Sequence, residues 1–160
     1  MGSILVRVDN RLVHGQILEA WVPVFRATSI VVVNDEVAGD LFRESVIKMA
    51  IPSDIEVTVQ GVEAFAKEFM KEKWTGKRAI VLFRDIHDAV SAWRLGFTFE
   101  KLNIGNVHNE EGRCCITSSI FLNPGEIEEL TRLHDAGVRI VMQCIPRDKP
   151  VTYEAVPRPA

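Results

Sequence analysis

The sequence predicts an α/β protein: an open, mainly parallel sheet of about six or seven strands with helices on both faces, built as a single domain over residues 1–160. Three observations carry this prediction. Short runs rich in Val and Ile recur along the chain, each followed by a stretch with helical spacing, which is the pattern of βαβ units. Ser29 to Val33 is a nearly unbroken β-branched run, as expected of a strand covered on both faces. A chain of 160 residues, 47% hydrophobic and 26% charged, suits one domain with a substantial core.

The elements follow in order. Ile4 to Val8 is the first strand, followed by a loop from Asp9 to Val13 and a helix from His14 to Phe25. Ile17, Ala20, Trp21 and Val24 give that helix its apolar face, and Pro23 is expected to disturb its last turn. After the Ser29 to Val33 strand, Asp35 to Ala50 is expected as one helix stopped by Pro52. Ile55 to Val59 is the third strand. Val62 to Trp74 is a helix with Phe65, Phe69 and Met70 on one side and Lys67, Glu68, Lys71 and Glu72 on the other, closed by Gly76.

Arg78 to Phe83 is the fourth strand, Ile86 to Leu95 a helix, and Lys101 to Ile104 the fifth strand. Gly105 to Gly112 is a polar loop, and Ile116 to Leu122 a short strand or extended segment. Asn123, Pro124 and Glu126 carry the chemistry of a helix start for the run to Ala136, which Gly137 ends. Val138 to Cys144 is the last strand, and the Pro-rich tail beyond Pro146 is expected to lie over the surface.

A net charge of −3 with dispersed Lys and Arg excludes nucleic acid as the main partner, so any anion site must be local. No run approaches the roughly 20 apolar residues that span a bilayer, and the expected location is the cytoplasm. Cys114, Cys115 and Cys144 match neither a disulfide framework nor a C-x-x-C site, so they are expected as reduced core or strand residues.

In open parallel sheets, ligands bind outside the carboxyl ends of the strands. The residues expected there are Asp9, Asn10, Arg11 and His14; Asn34, Asp35 and Glu36; Arg84, Asp85 and His87; and Asn106, His108 and Asn109. His14 stands out by its company. It opens a helix, where unpaired backbone N–H groups and the helix dipole favour an anion. Gly15 lets a bulky anion approach the backbone, and Arg11 offers a planar fork for phosphate oxygens. A neutral imidazole is a competent nucleophile near working pH. The plainer alternative is a loop histidine that hydrogen-bonds backbone.

Arg7, within the first strand, is expected in a structural ion pair with Asp9 or Asp35. Asp9 is expected to orient the loop by accepting backbone N–H bonds. Asp35 either holds the His14 ring or caps the helix after it. Asn34, Asp35 and Glu36 are a capping cluster, and His87, His108 and His134 are too scattered for a metal, so no metal or other cofactor is expected. The chain lacks the G-x-x-x-x-G-K-[ST] and G-x-G-x-x-G phosphate and dinucleotide motifs, the third-strand aspartate of a receiver domain, and the arginine that precedes the histidine of a histidine phosphatase.

Arg7-Val8-Asp9-Asn10-Arg11-Leu12-Val13-His14-Gly15-Gln16 resembles the signature of the IIB component of the mannose/fructose/sorbose family of the bacterial phosphoenolpyruvate-dependent sugar phosphotransferase system (PTS). Val31-Val32-Val33-Asn34-Asp35-Glu36-Val37-Ala38 is similar to that family's second segment, and Leu102-Asn103-Ile104-Gly105 with the His108 loop to its third. Asn106 departs from the second glycine common in relatives, and Cys114-Cys115 from a more polar stretch.

The resemblance implies the same fold. It further implies that His14 receives a phosphoryl group, through Nδ1, from a phosphorylated IIA domain charged by the phosphocarrier HPr. His14 would pass it to a sugar held by the membrane components IIC and IID, with which the chain would associate peripherally. Arg11, Asp9, Gly15 and Gln16 would surround the phosphate; Asp35 and Arg84, from the reading of the strand ends, are the further supporting candidates. A noncatalytic regulatory module binding phosphometabolites on the same rim is the alternative, and self-association is left open.

Overall fold

A computed structural model describes residues 3–69 and 76–155. Nine strands and six helices follow in chain order: β1 (Ser3–Asp9), α1 (residues 15–25), β2 (Ser29–Val33), α2 (Asp35–Ala38), α3 (Leu41–Ala50), β3 (Glu56–Gln60), α4 (Val62–Phe69), β4 (Arg78–Phe83), α5 (Ile86–Arg94), β5 (Lys101–Asn106), β6 (Cys114–Thr117), β7 (Ile120–Leu122), α6 (Pro124–Asp135), β8 (Arg139–Met142) and β9 (Val151–Thr152). Seven strands form one sheet in the order β3-β2-β4-β1-β5-β8-β9, parallel except for β9.

Alternation along the buried strands divides the core in two. Val6, Val8, Val31, Val33, Val81 and Phe83 pack against α4, α5 and α6. Ile30, Val32, Ile80 and Leu82 pack with Ile17, Trp21, Val37 and Ile47 of α1, α2 and α3 on the other face. Connections from β1 to β2 and β2 to β3 step toward one edge, whereas those leaving β3, β4 and β5 step toward the other. Right-handed crossovers then place the two sets of helices on opposite faces. The connection leaving β1 therefore goes to one face and those leaving its neighbours β4 and β5 to the other, which opens a crevice at the carboxyl end of β1.

Several elements differ from the sequence expectation for identifiable reasons. The helix expected over Asp35 to Ala50 is two, because Gly39 ends α2 and Asp40 starts α3 by accepting from the Phe42 and Arg43 N–H groups. Residues Ile17–Trp21 of α1 wind as a π-helix, with the Val22 N–H reaching the Ile17 carbonyl. Pro23 has no N–H and crowds the carbonyl four residues back, and wider turns relieve that conflict. The expected extended segment Ile116 to Leu122 is the second half of an antiparallel ribbon, β6-β7, and Cys114 and Cys115 are exposed on it as free thiols.

The tail beyond Pro146 does more than cover the surface. It adds β9 to the sheet edge and buries Tyr153, only 1% exposed, in the core. The part of the expected fourth helix from Met70 to Trp74 lies outside the described residues.

Candidate functional site

β1 alternates faces, so Leu5, Arg7 and Asp9 point toward α1 while Val6 and Val8 point away. Arg7 is fully buried. Its Nη1 donates to the Asn103 side-chain oxygen and to the Gln143 carbonyl at 2.9 Å, and its Nη2 donates to the Cys144 carbonyl at 2.6 Å and to Asp9 Oδ2 at 3.3 Å. The Trp21 ring covers the guanidinium at 4.6 Å, and its indole N–H donates to the same Cys144 carbonyl. Burial pulls the Arg7 pKa below its ordinary value, and the Asp9 charge opposes that shift. The expected ion pair is therefore with Asp9 and not Asp35.

Gly105 makes room for this arrangement. Between β1 and β5 the register shifts, so that Val8 faces Ile104 and Asp9 faces Asn106. The resulting bulge sets Gly105 against the guanidinium, where a Cβ would lie 1.9 Å from Arg7 Nη2. The same shift brings the Asn106 amide to Asp9 Oδ2 at 3.3 Å. Asn106 thus takes part in the network in which a glycine was the family expectation.

Asp9 is fully buried and shared among cationic and N–H groups. Its Oδ1 accepts from the Arg11 backbone N–H at 3.1 Å and lies 3.8 Å from Arg11 Nε, while Oδ2 lies 3.6 Å from His14 Nε2. A carboxylate committed in this way organises the loop. Contact with a phosphoryl oxygen would bring two anions together, so the contacts seen for Asp9 are those of a residue that orients the loop. Because Arg7 balances Asp9, the charge of Arg11 is available to an anion.

His14 occupies the cap position of α1, with its carbonyl accepting from the Ile17 and Leu18 N–H groups at 3.1 Å each. The first amides of a helix have no partner within it, and here they belong to Gly15 and Gln16. A Cβ at Gly15 would meet nothing within 4 Å, so the backbone is open to a ligand there. The His14 Nδ1–H donates to the Leu12 carbonyl at 2.9 Å, and Leu12 itself adopts a left-handed conformation, φ 54°. Gln16 Oε1 accepts from Arg11 Nη2 at 2.6 Å and lies 3.5 Å from His14 Nε2 and 3.4 Å from Cys144 Sγ. Both sequence readings of His14 therefore describe the same residue: its ring bonds backbone, and it stands at a helix start beside Arg11.

The structure brings Asp9, Arg11, His14, Gly15 and Gln16 together, but not the two supporting candidates. Asp35 Oδ1 accepts from the Val62 N–H at 2.9 Å and so caps α4, and Asn34 caps α2. Arg84 pairs with Glu36 at 2.9 Å. These residues line a separate cavity of about 420 Å³, next to Asn10, together with Asp85, Asp88, His108, Glu110 and Arg113. Within it, Asp88 is pushed up to about 6, first by desolvation and then by Asp85 and Asp35.

His87, His108 and His134 each lie beside a glutamate, Glu129, Glu110 and Glu154. Among the described residues no cluster of three or more His, Cys, Asp or Glu side chains could hold a metal ion, and no helix is long and apolar enough to cross a membrane. Sequence reasoning missed Asn103, Asn106 and Cys144 as parts of the network and read Trp21 only as a face residue. The signal available was the Asn-x-Gly-Asn string at the end of β5, since bulges favour glycine.

Comparison with known proteins agrees with this geometry. The profile of the PTS system sorbose subfamily IIB component matches residues 3–157. The chain is 33% identical over 148 residues to the fructose-specific EIIB component of Bacillus subtilis, covering 92% of this chain and 91% of that protein. It is 25% identical to the mannose-specific EIIAB component of Escherichia coli, where the match covers 90% of this chain but 45% of the relative. The crystal structure of the IIBSor domain of the sorbose permease from Klebsiella pneumoniae superimposes with a TM-score of 0.86 at 29% identity, covering 93% of this chain and 92% of that one. A match along nearly the whole chain, on a fold that sets His14 at a helix start beside Arg11, places this protein in the sorbose subfamily of IIB components of the bacterial sugar phosphotransferase system.

Proposed function

We propose that His14 is a phosphoryl carrier: it accepts a phosphoryl group from a phosphorylated IIA domain and delivers it to a sugar during uptake by the membrane components IIC and IID. The observation that carries this reading is the placement of His14 at the start of α1 with Arg11, whose carboxylate neighbour Asp9 is shared with Arg7, against the same helix end. In the first step the lone pair of a His14 ring nitrogen attacks phosphorus in line, and the N–P bond to the donor histidine breaks with its electron pair returning to the donor ring. In the second step a sugar hydroxyl oxygen attacks phosphorus, the His14 N–P bond breaks, and the hydroxyl proton passes to solvent. Neither step consumes a nucleotide or calls for a metal. The protein's part is positioning and charge stabilisation.

Acceptance at Nδ1 requires that this atom leave the Leu12 carbonyl and pass its proton to solvent while Nε2 takes one up, since a nitrogen that carries its N–H has no lone pair to offer. With the ring turned in that way, Nε2–H can be held by Asp9, now 3.6 Å away. Arg11 Nη2 exchanges the Gln16 carbonyl for a phosphoryl oxygen, and the Gly15 and Gln16 amides supply further donors. The test is intact-mass measurement after incubation with the phosphorylated IIA protein. The expected result is one added phosphoryl group, acid-labile and base-stable, that His14→Ala abolishes. Saturable phosphate binding with no covalent product would instead support the regulatory module.

A further inference from the structure

We infer that the outward apolar stripe of α3 is the docking surface for the phosphoryl-donating IIA domain. The inference rests on the carrier role of His14 proposed above and adds where its donor sits. Helix α3 has no fully buried residue and holds to the body partly through Ile47. Its other large apolar side chains face solvent: Leu41 is 80% exposed, Phe42 78%, Val46 50% and Met49 85%. Helical spacing places these four on one continuous arc, with Ile47 turned away from it. An amphipathic helix that turns so much apolar surface outward marks a site of interaction.

The stripe runs into the phosphoryl site. Phe42, Arg43 and Val46 form one wall of a shallow cavity of about 250 Å³ whose facing wall is Arg11, Leu12 and Val13, the three residues before His14. A donor that carries its phosphoryl group on a protein side chain must bring a protein surface against this loop. A stable interface covers about 800 Å² per partner, far more than four loop residues provide, so the donor must also cover a flank of the loop.

Charge selects which flank. Among the described residues, the charged groups lining the cavity beside α3 are Arg11 and Arg43. The cavity on the Asn10 side presents five carboxylates, Asp35, Glu36, Asp85, Asp88 and Glu110, against two arginines, Arg84 and Arg113, with Glu36 reaching both Arg84 at 2.9 Å and Arg43 at 3.6 Å, so its balance is negative where that beside α3 is positive. An anionic phosphoryl group arriving on its carrier is attracted on the α3 side and repelled on the other. The apolar stripe then forms the dry centre of the contact and the arginines its rim. A second copy of this chain, or a membrane component, would cover the same stripe without needing the continuity with the Arg11 loop.

The double variant Phe42→Ser/Met49→Ser changes two exposed side chains and leaves the core intact. Transfer to His14 is measured from the phosphorylated IIA protein and, in parallel, from phosphoramidate, a small donor that needs no docking. Expected is a fall in kcat/KM of about tenfold or more with the protein donor, carried mainly by KM. Phosphoramidate labelling stays within about twofold of wild type, and Phe42→Leu/Met49→Leu restores protein-donor transfer. Unchanged transfer from IIA, or an equal fall with both donors, overturns the docking assignment alone. So does a wild-type dimer that the double variant dissociates while IIA transfer persists. If neither donor labels wild-type His14, the carrier reading fails and this inference with it.

Discussion

A fully buried guanidinium is costly unless it is paired, and at Arg7 an ion pair, two carbonyls and a side-chain amide meet the two Nη atoms and an indole face covers the group, while Nε is buried without a hydrogen-bond partner. The absence of a side chain at Gly105 is part of the same arrangement. Gly105→Ala would put a methyl group where the guanidinium lies, and this guanidinium is pinned through both Nη atoms and cannot swing aside. The expected cost is about 3 kcal/mol, the scale of breaking a buried pair, read as a lower urea midpoint at unchanged slope. Arg11 behaves differently, since its side chain is 45% exposed and its fork reaches an exposed amide oxygen. Arg11→Ala is expected to leave the urea midpoint within about 0.5 kcal/mol. Transfer from the protein donor is expected to fall about 10- to 100-fold, measured as the single-turnover rate of His14 phosphorylation.

At the scale of elements, helix starts organise this molecule. Asp40, Asp85 and Asn123 cap α3, α5 and α6 through their own side chains, whereas Asp35 reaches across to cap α4. Crowding acidic groups at one rim has a consequence at Asp88, in the first turn of α5. Its folded pKa of about 6 lies above the ordinary 3.8 because desolvation, Asp85 and Asp35 all disfavour the anion. A raised carboxyl contributes stability that is fully present below the unfolded value and is lost as pH rises through about 6. Since the group is partly solvated, the loss is expected to be about 1 kcal/mol. Asp88→Asn should therefore raise the thermal midpoint relative to wild type at pH 7.5 and show a smaller difference at pH 4, as scanning calorimetry would record.

Helix and strand identity was legible wherever the signal was local. The continuous β-branched run of β2 and the Asn-Pro-Gly-Glu start of α6 fall where the sequence placed them, because period and capping act within a few residues. The break between α2 and α3 was equally local, in Gly39-Asp40, but the helical period running through it masked the stop. The π-turn before Pro23 and the strand β9 were harder to see. One depends on how a helix settles a clash, and the other on an edge of β8 that exists only after the sheet has formed.

At the scale of the whole molecule, the order of strands sets the neighbours of His14. Residues 7 to 16 carry the family signature, and by themselves they place a histidine at a helix start with an arginine before it, because a turn of loop and a turn of helix are short-range structures. The parallel sheet with helices on both faces also follows from alternating local periods. Only the tertiary structure decides that β5 and β8 lie beside β1, which brings Asn103, Asn106 and the Cys144 carbonyl to Arg7 and Asp9 from about 100 positions or more along the chain. It also decides that Asp35 and Arg84 serve another cavity and that α3 turns its apolar stripe outward beside the loop. Backbone periodicity is written within each segment, but the contact between two carboxyl ends depends on which strands hydrogen-bond to which, and that pairing is settled by the packing of the entire sheet.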